Sequence, residues 1–348
     1  MVGDSSMQIC RYAEEPNRFL DLLARSGCPF ADPLSFQLAA SYYAEYFGQG
    51  YNVDASFIVH RDDVPLFVMR GQSVNGVLSD NGQDVSIFTA TDIYSEAVVL
   101  SLLKDTARWS GCHTIRILDH AAGGVMTALG RALMFYKAVP QLRVLAIADL
   151  TASEAELRVG LRKSYRSLIN WGLKTLSLQN VTAEAFDADA FESFRQFHIR
   201  TAGRETRSLK SWNLQAEMIK ANRAELLLSY LHDDQLVGAS LFLDTGETTT
   251  YGVGVYERGL FEKPLSHAPV FMAMLRAKER GQRRFVIGDV PPARSVDDKE
   301  FSIGWFKSGF TANLMVGLDW TYQLQGAKGI ADLDTSTVRH TASTVSNE

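Results

Sequence analysis

Hydrophobic and polar positions along the chain predict two successive sets of helices and strands in a similar order. In the first half, residues 55–60 and 65–69 are strand-like runs separated by Arg61-Asp62-Asp63, which predicts a hairpin. A helix is expected before it at 34–46, where the aromatic residues should pack into a core. Further strands are expected at 85–88, 114–118 and 142–147, and helices near 95–109 and 123–134.

The second half repeats this order approximately. It is expected to open with one long helix at 153–174, followed by helices at 188–200 and 211–222 and by strands at 225–231, 236–243 and 249–256. A helix at 264–280, a strand at 285–287, a helix at 299–307 and strands at 312–324 complete it. We therefore predict two similar mixed α/β domains, 1–150 and 151–325. The Ser-, Thr- and Asp-rich tail 326–348 is predicted to be disordered.

Composition narrows the class of protein. The 348 residues are 46% hydrophobic and 22% charged, which is an ordinary globular balance. The net charge of −5 provides no general attraction for DNA, so a tRNA or phosphate contact requires a local basic patch. Three widely spaced cysteines favour a reducing cytoplasm over disulfides or a structural zinc site. Neither a signal peptide nor a membrane-spanning run is evident, so a cytoplasmic protein is expected.

Lysines at both ends of the helix predicted at 299–307 form the first candidate site. Lys299 and Lys307 are eight residues apart and share a rough helical face. Lys307 lies in Phe306-Lys307-Ser308-Gly309-Phe310, so its ammonium must reach water or face an anion. The alternative is a solvated helix end whose lysines complement the helix dipole.

A basic stripe is the second candidate. Arg158, Arg162 and Arg166 are spaced four residues apart on the predicted long helix and can grip phosphate groups. The alternative is a solvated helix face.

Two further candidates lie at element ends. Asp289 follows the strand at 285–287, where α/β folds collect ligands, and it can accept a proton from an amine. Its alternative role is turn capping. Ser266 and His267 begin a helix after the strand that contains Tyr251, and helix N-termini favour anions. A packed or capping histidine is the alternative there.

Several of these positions together resemble the FemAB-like and BioF-like branch of the GNAT superfamily of N-acyltransferases, which consist of two tandem GNAT-like domains. The resemblance covers about 150–320. It rests on five short matching segments: Leu161-Arg162-Lys163-Ser164-Tyr165-Arg166, Tyr251-Gly252, Gly288-Asp289, Lys299-Glu300 and Ile303-Gly304-x-Phe306-Lys307-x-Gly309-Phe310. The first half matches only in element order.

The resemblance implies an α/β fold of two GNAT-like domains, each with a mixed, mainly antiparallel sheet flanked by helices. It also implies transfer of an acyl or aminoacyl group to a small-molecule amine, in cell-envelope or exopolysaccharide metabolism. The donor would be an acyl-CoA, an acyl-carrier protein or an aminoacyl-tRNA, with no permanently bound cofactor and no metal. Lys307 would meet the donor carbonyl and Asp289 the amine. The substrates are expected to contact Arg162, Arg166, Tyr251, Ser266, His267, Lys299 and Phe306.

Departures from the family pattern keep other functions open. Thr311 and Asp289 stand where glycines are frequent, and no Q/R-x-x-G-x-G/A loop precedes the helix at 264–280. No long helical arm is evident either. A non-catalytic GNAT-like binding module and an aminoacyl-tRNA-dependent peptidoglycan transferase therefore remain alternatives.

Overall fold

A computed structural model describes residues 7–29, 32–89, 96–119, 125–231, 235–291 and 298–324. These residues divide into two compact units. The first runs to Arg143 and resumes at Val316, and the second runs from Val144 to Met315. The limits predicted from sequence, 1–150 and 151–325, stay predictions, and the tail 326–348 lies outside the described residues.

The first unit contains two sheets. Its strands are β1 (Gln8–Arg11), β2 (Tyr51–Asp54), β3 (Phe57–Arg61), β4 (Val64–Arg70), β5 (Gln72–Val74), β6 (Val77–Ser79), β7 (Ser86–Thr89), β8 (Thr114–Asp119) and most of β15 (Leu314–Gln323). The strand orders are β1-β3-β4-β7 and β15-β8-β6-β5-β2, in which only β6 and β8 pair in parallel. The helices are α1 (Pro16–Arg25), α2 (Pro33–Phe47), α3 (Glu96–Trp109) and α4 (Ala128–Phe135).

The predicted hairpin is present between β3 and β4. Asp62 and Asp63 both have left-handed backbones, with φ of 49° and 59°, which is the conformation of a type I′ turn. The principal core of this unit contains Phe57, Phe67, Leu103 and Ile115, together with Trp320 from β15. The last strand of the described chain therefore completes the first unit.

The second unit has one sheet, in the order β10-β11-β12-β13-β14-β9. Its strands are β9 (Val139–Asp149, from Val144 onward), β10 (Ser177–Val181), β11 (Ala224–Leu231), β12 (Gln235–Thr245), β13 (Thr248–Tyr256) and β14 (Arg284–Asp289). The helices are α5 (Glu154–Gly160), α6 (Lys163–Thr175), α7 (Ala188–Ala202), α8 (Leu209–Lys220), α9 (His267–Glu279) and α10 (Asp298–Lys307). Only β13 and β14 are parallel.

Helices cover both faces of this sheet. Leu227 of β11 lies in a core with Ile169 of α6 and Phe271 of α9. Since side chains alternate along a strand, Leu226 and Leu228 face the opposite side, and both are buried there as well. The predicted fold class, two mixed and mainly antiparallel α/β units with flanking helices, is confirmed.

Candidate functional site

The two parallel strands of the second unit separate toward their carboxyl ends. In the described chain, β13 and β14 pair only over Thr248–Thr250 and Arg284–Val286. Beyond that point β13 continues to Tyr256 and β14 to Asp289. The pairing of β14 with β9 also shifts register between Val286 and Gly288. Strand separation at carboxyl ends creates the opening where α/β folds bind ligands.

Lys307 and Gly288 meet at the end of β14. Lys307 is the last residue of α10, and its side chain lies over the Gly288 main chain. A Cβ on Gly288 would be 2.7 Å from Nζ of Lys307 and 3.1 Å from its Cε. Gly288 has a φ of 128°, which L-residues rarely adopt. Glycine at 288 is thus required both by backbone conformation and by the space that the lysine occupies.

The charge of Lys307 is held in a buried position, since the residue is only 4% exposed. Burial lowers the pKa of Lys307, and the carboxylate of Asp289 partly offsets that decrease. Asp289 is half-buried and is the last residue of β14. A buried cation that a half-buried carboxylate compensates only in part is costly to maintain, and such costs are typical of functional groups.

Close packing fixes α10 against the chain that follows β14. A Cβ on Gly304 would lie 2.9 Å from Cδ of Pro291 and 3.3 Å from Cα of Val290. Glycine at this position therefore lets the helix backbone approach the strand end. The approach carries the last turn of α10 inward and buries Lys307, whereas Lys299 in its first turn is exposed.

Tyr165 and Arg162 hold the turn after Lys307. The Tyr165 hydroxyl donates to the carbonyl oxygen of Phe306 over 2.9 Å. Arg162 Nη2 donates to the carbonyl of Trp305 over 2.8 Å and to Ser308 Oγ over 3.0 Å. The bonds to Trp305 and Phe306 satisfy carbonyls that a helix end leaves without partners, and the bond to Ser308 holds the residue after Lys307. Sequence reasoning did not find this support, although the motif at 161–166 marked its location.

An aromatic cluster lies beside this turn. A Cβ on Gly309 would come within 2.3 Å of the Tyr165 ring, so the ring lies directly against that glycine. The His267 ring is 4.5 Å from that of Tyr165 and 5.4 Å from that of Phe306. Burial lowers the pKa of His267 to about 4, so the imidazole is neutral near pH 7.

Tyr251 of β13 belongs to a short chain of hydroxyl groups that continues to Ser240 of β12. Its hydroxyl lies 3.1 Å from that of Tyr256, which lies 2.7 Å from Ser240 Oγ. Burial raises the pKa of both tyrosines, so both stay protonated at neutral pH. The Tyr251 ring stacks on Phe242, with ring centroids 5.4 Å apart. The structure therefore places Tyr251 on the half of β13 that has separated from β14.

The prediction of one continuous helix at 153–174 is wrong. Helix α5 ends at Gly160 and α6 begins at Lys163, with Leu161 and Arg162 in extended or non-helical conformations between them. The regular four-residue stripe is consequently broken. Arg158 pairs with Glu154 over 2.9 Å, and Arg166 donates to the carbonyls of Arg158 and Val159. Substrate binding by Arg162 and Arg166 stays a prediction.

The remaining predicted positions are more dispersed. Ser266 precedes α9 at its N-cap position but makes no capping bond through its side chain. In the described part of the chain, no three His, Cys, Asp or Glu side chains cluster as a metal site would require. None of the described helices has the length and apolar character needed to cross a bilayer.

Several solved structures have the same fold as this chain. The structure of FemX aligns with a TM-score of 0.62 at 14% identity, over 91% of this chain and 97% of FemX. L-PGS from Bacillus licheniformis aligns with a TM-score of 0.53 at 11% identity, over 96% of each chain. A tandem GNAT protein from the clavulanic acid biosynthesis pathway gives 0.52 at 14% identity, over 91% and 98%.

Comparison of sequences does not assign the chain to a family. No protein-family model matches the chain, and no curated protein matches it either. At identities of 11–14% the structural likeness concerns the fold. The chain has the tandem GNAT-like fold of these structures, and this confirms the fold implied by the resemblance at residues 161–166, 251–252, 288–289 and 299–310.

Proposed function

We propose that this protein is an acyl- or aminoacyltransferase whose second unit forms an amide on an amine acceptor. The observation that carries the proposal is the buried ammonium of Lys307 over Gly288, with Asp289 as its neighbouring carboxylate. A fixed cation in a water-poor site stabilises a developing oxyanion, which is the main demand of acyl transfer.

The reaction assigns separate tasks to these groups. The amine nitrogen attacks the donor carbonyl carbon, forming a C–N bond and a tetrahedral oxyanion that faces the ammonium of Lys307. Asp289 accepts the proton that the attacking amine loses. Collapse of the intermediate breaks the bond to the donor's sulfur or oxygen, and the leaving group takes up a proton. Because Lys307 keeps its proton throughout, it acts by charge alone.

The neutral His267 and the hydroxyl groups of Tyr251 and Tyr256 supply uncharged surroundings to this opening. Uncharged walls strengthen the interaction between Lys307 and a nearby oxyanion, since little solvent screens it. Arg162 and Tyr165 keep the helix end that carries Lys307 in place. The carboxylate of Asp289 suits a small-molecule amine acceptor.

The identity of the acyl donor is a more specific part of the proposal than the class of reaction. Acyl-CoA, acyl-carrier protein and aminoacyl-tRNA all present an activated carbonyl. Among proteins with this fold, the C-terminal domain of a putative lysylphosphatidylglycerol synthetase suggests an envelope-related acceptor. The tandem GNAT protein, whose structure was solved without AcCoA, suggests a thioester donor. A cell-envelope or exopolysaccharide pathway and a cytoplasmic location remain part of the proposal.

The test is a donor screen with matched lysine variants. Lys307→Met keeps the side chain's length and removes its charge, and it should lower kcat at least about tenfold. Lys174→Met, at an exposed position in the last turn of α6, controls for the loss of a lysine. Full activity of Lys307→Met would contradict the proposal.

The binding-module alternative predicts another outcome. Ligand-dependent thermal stabilisation without turnover, for every acyl-CoA, acyl-carrier protein and charged tRNA tested, would favour it. Dependence on aminoacyl-tRNA would appear as turnover with charged tRNA alone and as salt-sensitive tRNA binding.

A further inference from the structure

Exposed apolar side chains are concentrated at one corner of the first unit, where α4 ends and β9 begins. Phe135 is 80% exposed, which leaves nearly its whole ring in water. Its apolar neighbours along the chain are between 48% and 62% exposed. They form what we call the apolar ledge: Met134, Phe135, Tyr136, Val139 and Leu142. Large exposed apolar side chains grouped this closely in one turn and the strand after it mark an interaction surface.

The ledge is held rigidly. Leu133 and Ala138, on either side of its central residues, are buried, and the Ala138 amide donates to the Leu133 carbonyl over 3.0 Å. The amide of Lys137 donates to the Met134 carbonyl over 3.1 Å. These bonds close the end of α4, so Met134, Phe135 and Tyr136 project outward from a fixed turn.

Lys137 occupies an unusual backbone conformation at the centre of this turn. Its φ is 61°, in the left-handed region where a helix ordinarily ends with glycine or asparagine. A lysine there is unfavourable for the backbone, and such departures collect at functional positions. Lys137 is exposed, and in the sequence it lies between the two aromatic residues and Val139.

The segment of the chain that carries the ledge contains basic residues and no acidic ones. The sequence contains no Asp or Glu between Asp119 and Asp149, although the whole chain is acidic, with a net charge of −5. Arg131 and Lys137 are exposed in this stretch. Lys104 of α3 adds a third cation, with Nζ 3.9 Å from the centre of the Tyr136 ring. Apolar and aromatic side chains with a basic rim are complementary to an anionic lipid surface.

We propose that the apolar ledge docks the protein on the surface of an anionic lipid bilayer. Phe135, Met134 and Val139 would enter the boundary between headgroups and acyl chains, with Tyr136 at headgroup depth. Lys137, Arg131 and Lys104 would attract the lipid phosphates. This peripheral attachment does not depend on the proposed transfer reaction or on Lys307.

The test is flotation of the full-length protein with phosphatidylcholine vesicles and with vesicles that also contain phosphatidylglycerol. Binding is expected only with the anionic vesicles and should weaken at high salt. Phe135→Ser should reduce binding at least about tenfold through lost apolar burial. Phe261→Ser, at another highly exposed phenylalanine, should leave it unchanged.

A second pair of variants tests the charge. Lys137→Asn retains a residue that tolerates the left-handed turn and should weaken binding about fivefold, as the loss of one cation near the membrane predicts. Lys174→Asn is its control. Equal binding to neutral vesicles, unchanged binding of Phe135→Ser, or a dimer that Phe135→Ser dissociates in place of vesicle binding would overturn the proposal.

Discussion

The side chain of Lys307 occupies the space in which Gly288 would otherwise carry a Cβ, with only 2.7 Å between that position and the ammonium nitrogen. The two residues come from different elements, α10 and β14, and are separated by a segment of 18 intervening positions in the sequence. Their contact joins a charge to the opening between β13 and β14. It also provides a way to move the charge without removing it.

Gly288→Ala should displace the ammonium of Lys307 and lower kcat at least about tenfold, because an oxyanion-stabilising group must be placed accurately. The obstructing atoms belong to a flexible side chain, so the lysine shifts while the fold is retained. The backbone strain of about 1–3 kcal/mol is the expected cost in stability. Steady-state kinetics and thermal unfolding measure the two effects.

Gly281→Ala is the matched control for that strain. Gly281 has a φ of 84°, and a Cβ there would meet nothing within 4 Å. It should lose similar stability and keep its activity. Equal loss of activity in both variants would show that strain, not displacement of Lys307, is responsible.

Tyr165→Phe should lower kcat without changing the charge of the site. The variant loses the hydrogen bond to the Phe306 carbonyl, so the residue that precedes Lys307 is held less firmly. The expected effect is severalfold on kcat with little effect on KM, since a positioning group affects the transition state more than ground-state binding. Tyr230→Phe removes a hydroxyl bonded to Gln179 and is the control. A change in KM alone would argue for direct substrate contact by Tyr165.

The lowered pKa of Lys307 predicts an alkaline limit to activity. The ammonium is required, so kcat should fall as pH rises through a value below the 10.5 of an ordinary lysine. In Lys307→Arg the guanidinium stays charged, and this decline should move beyond the accessible range. A pH–rate profile of both proteins measures it, and identical profiles would contradict the assignment.

Removing the positive charge of Lys307 should stabilise the folded protein. Because the folded state lowers the pKa of Lys307, the unfolded chain binds its proton more tightly, and the stability penalty is present at neutral pH. The penalty disappears as pH rises through the folded-state pKa toward 10.5. Lys307→Met should therefore be as stable as the parent protein or more stable near pH 7. Chemical denaturation at pH 7 and at alkaline pH tests this.

The buried carboxyl group of Asp54, in the first unit, predicts a second pH dependence of protein stability. Burial raises the pKa of Asp54 from 3.8 to about 6, although the Ser56 amide donates to its carboxylate over 2.9 Å. The folded state thus binds this proton more tightly than the unfolded chain does. Stability should fall by about 3 kcal/mol as pH rises from about 4 to about 6. Asp54→Asn should flatten that slope, whereas the exposed Asp105→Asn should not; denaturant midpoints measured across this range give the comparison.

Local sequence predicted most of the helices and strands. Helical and alternating periodicity located α2, α3 and α7 to α10, and the two aspartates at 62 and 63 marked the turn between β3 and β4. The short strands β1, β2, β5, β6 and β10 were missed because three to five residues carry little periodicity. The break at Leu161 and Arg162 was missed despite Gly160, a residue typical of helix ends.

The environment of Lys307 could not be predicted from its own helix. Eight residues of separation suggested a shared face with Lys299, but one lysine is exposed and the other buried. The difference arises from Gly304, which allows only the end of α10 to approach Pro291. Contacts between residues distant in sequence, such as that of Tyr165 with Phe306, depend on the packed sheet and leave no periodic signal.

The return of the chain to the first unit at Val316 has a consequence for biosynthesis. Trp320 and Tyr322 of β15 are buried in the first unit's core, so that unit cannot be completed until nearly the whole described chain has left the ribosome. The second unit, contained within 144–315, can finish folding earlier. A nascent chain halted near residue 150 would expose an unfilled apolar surface to chaperones, and the same vulnerability would follow from any truncation that removes β15.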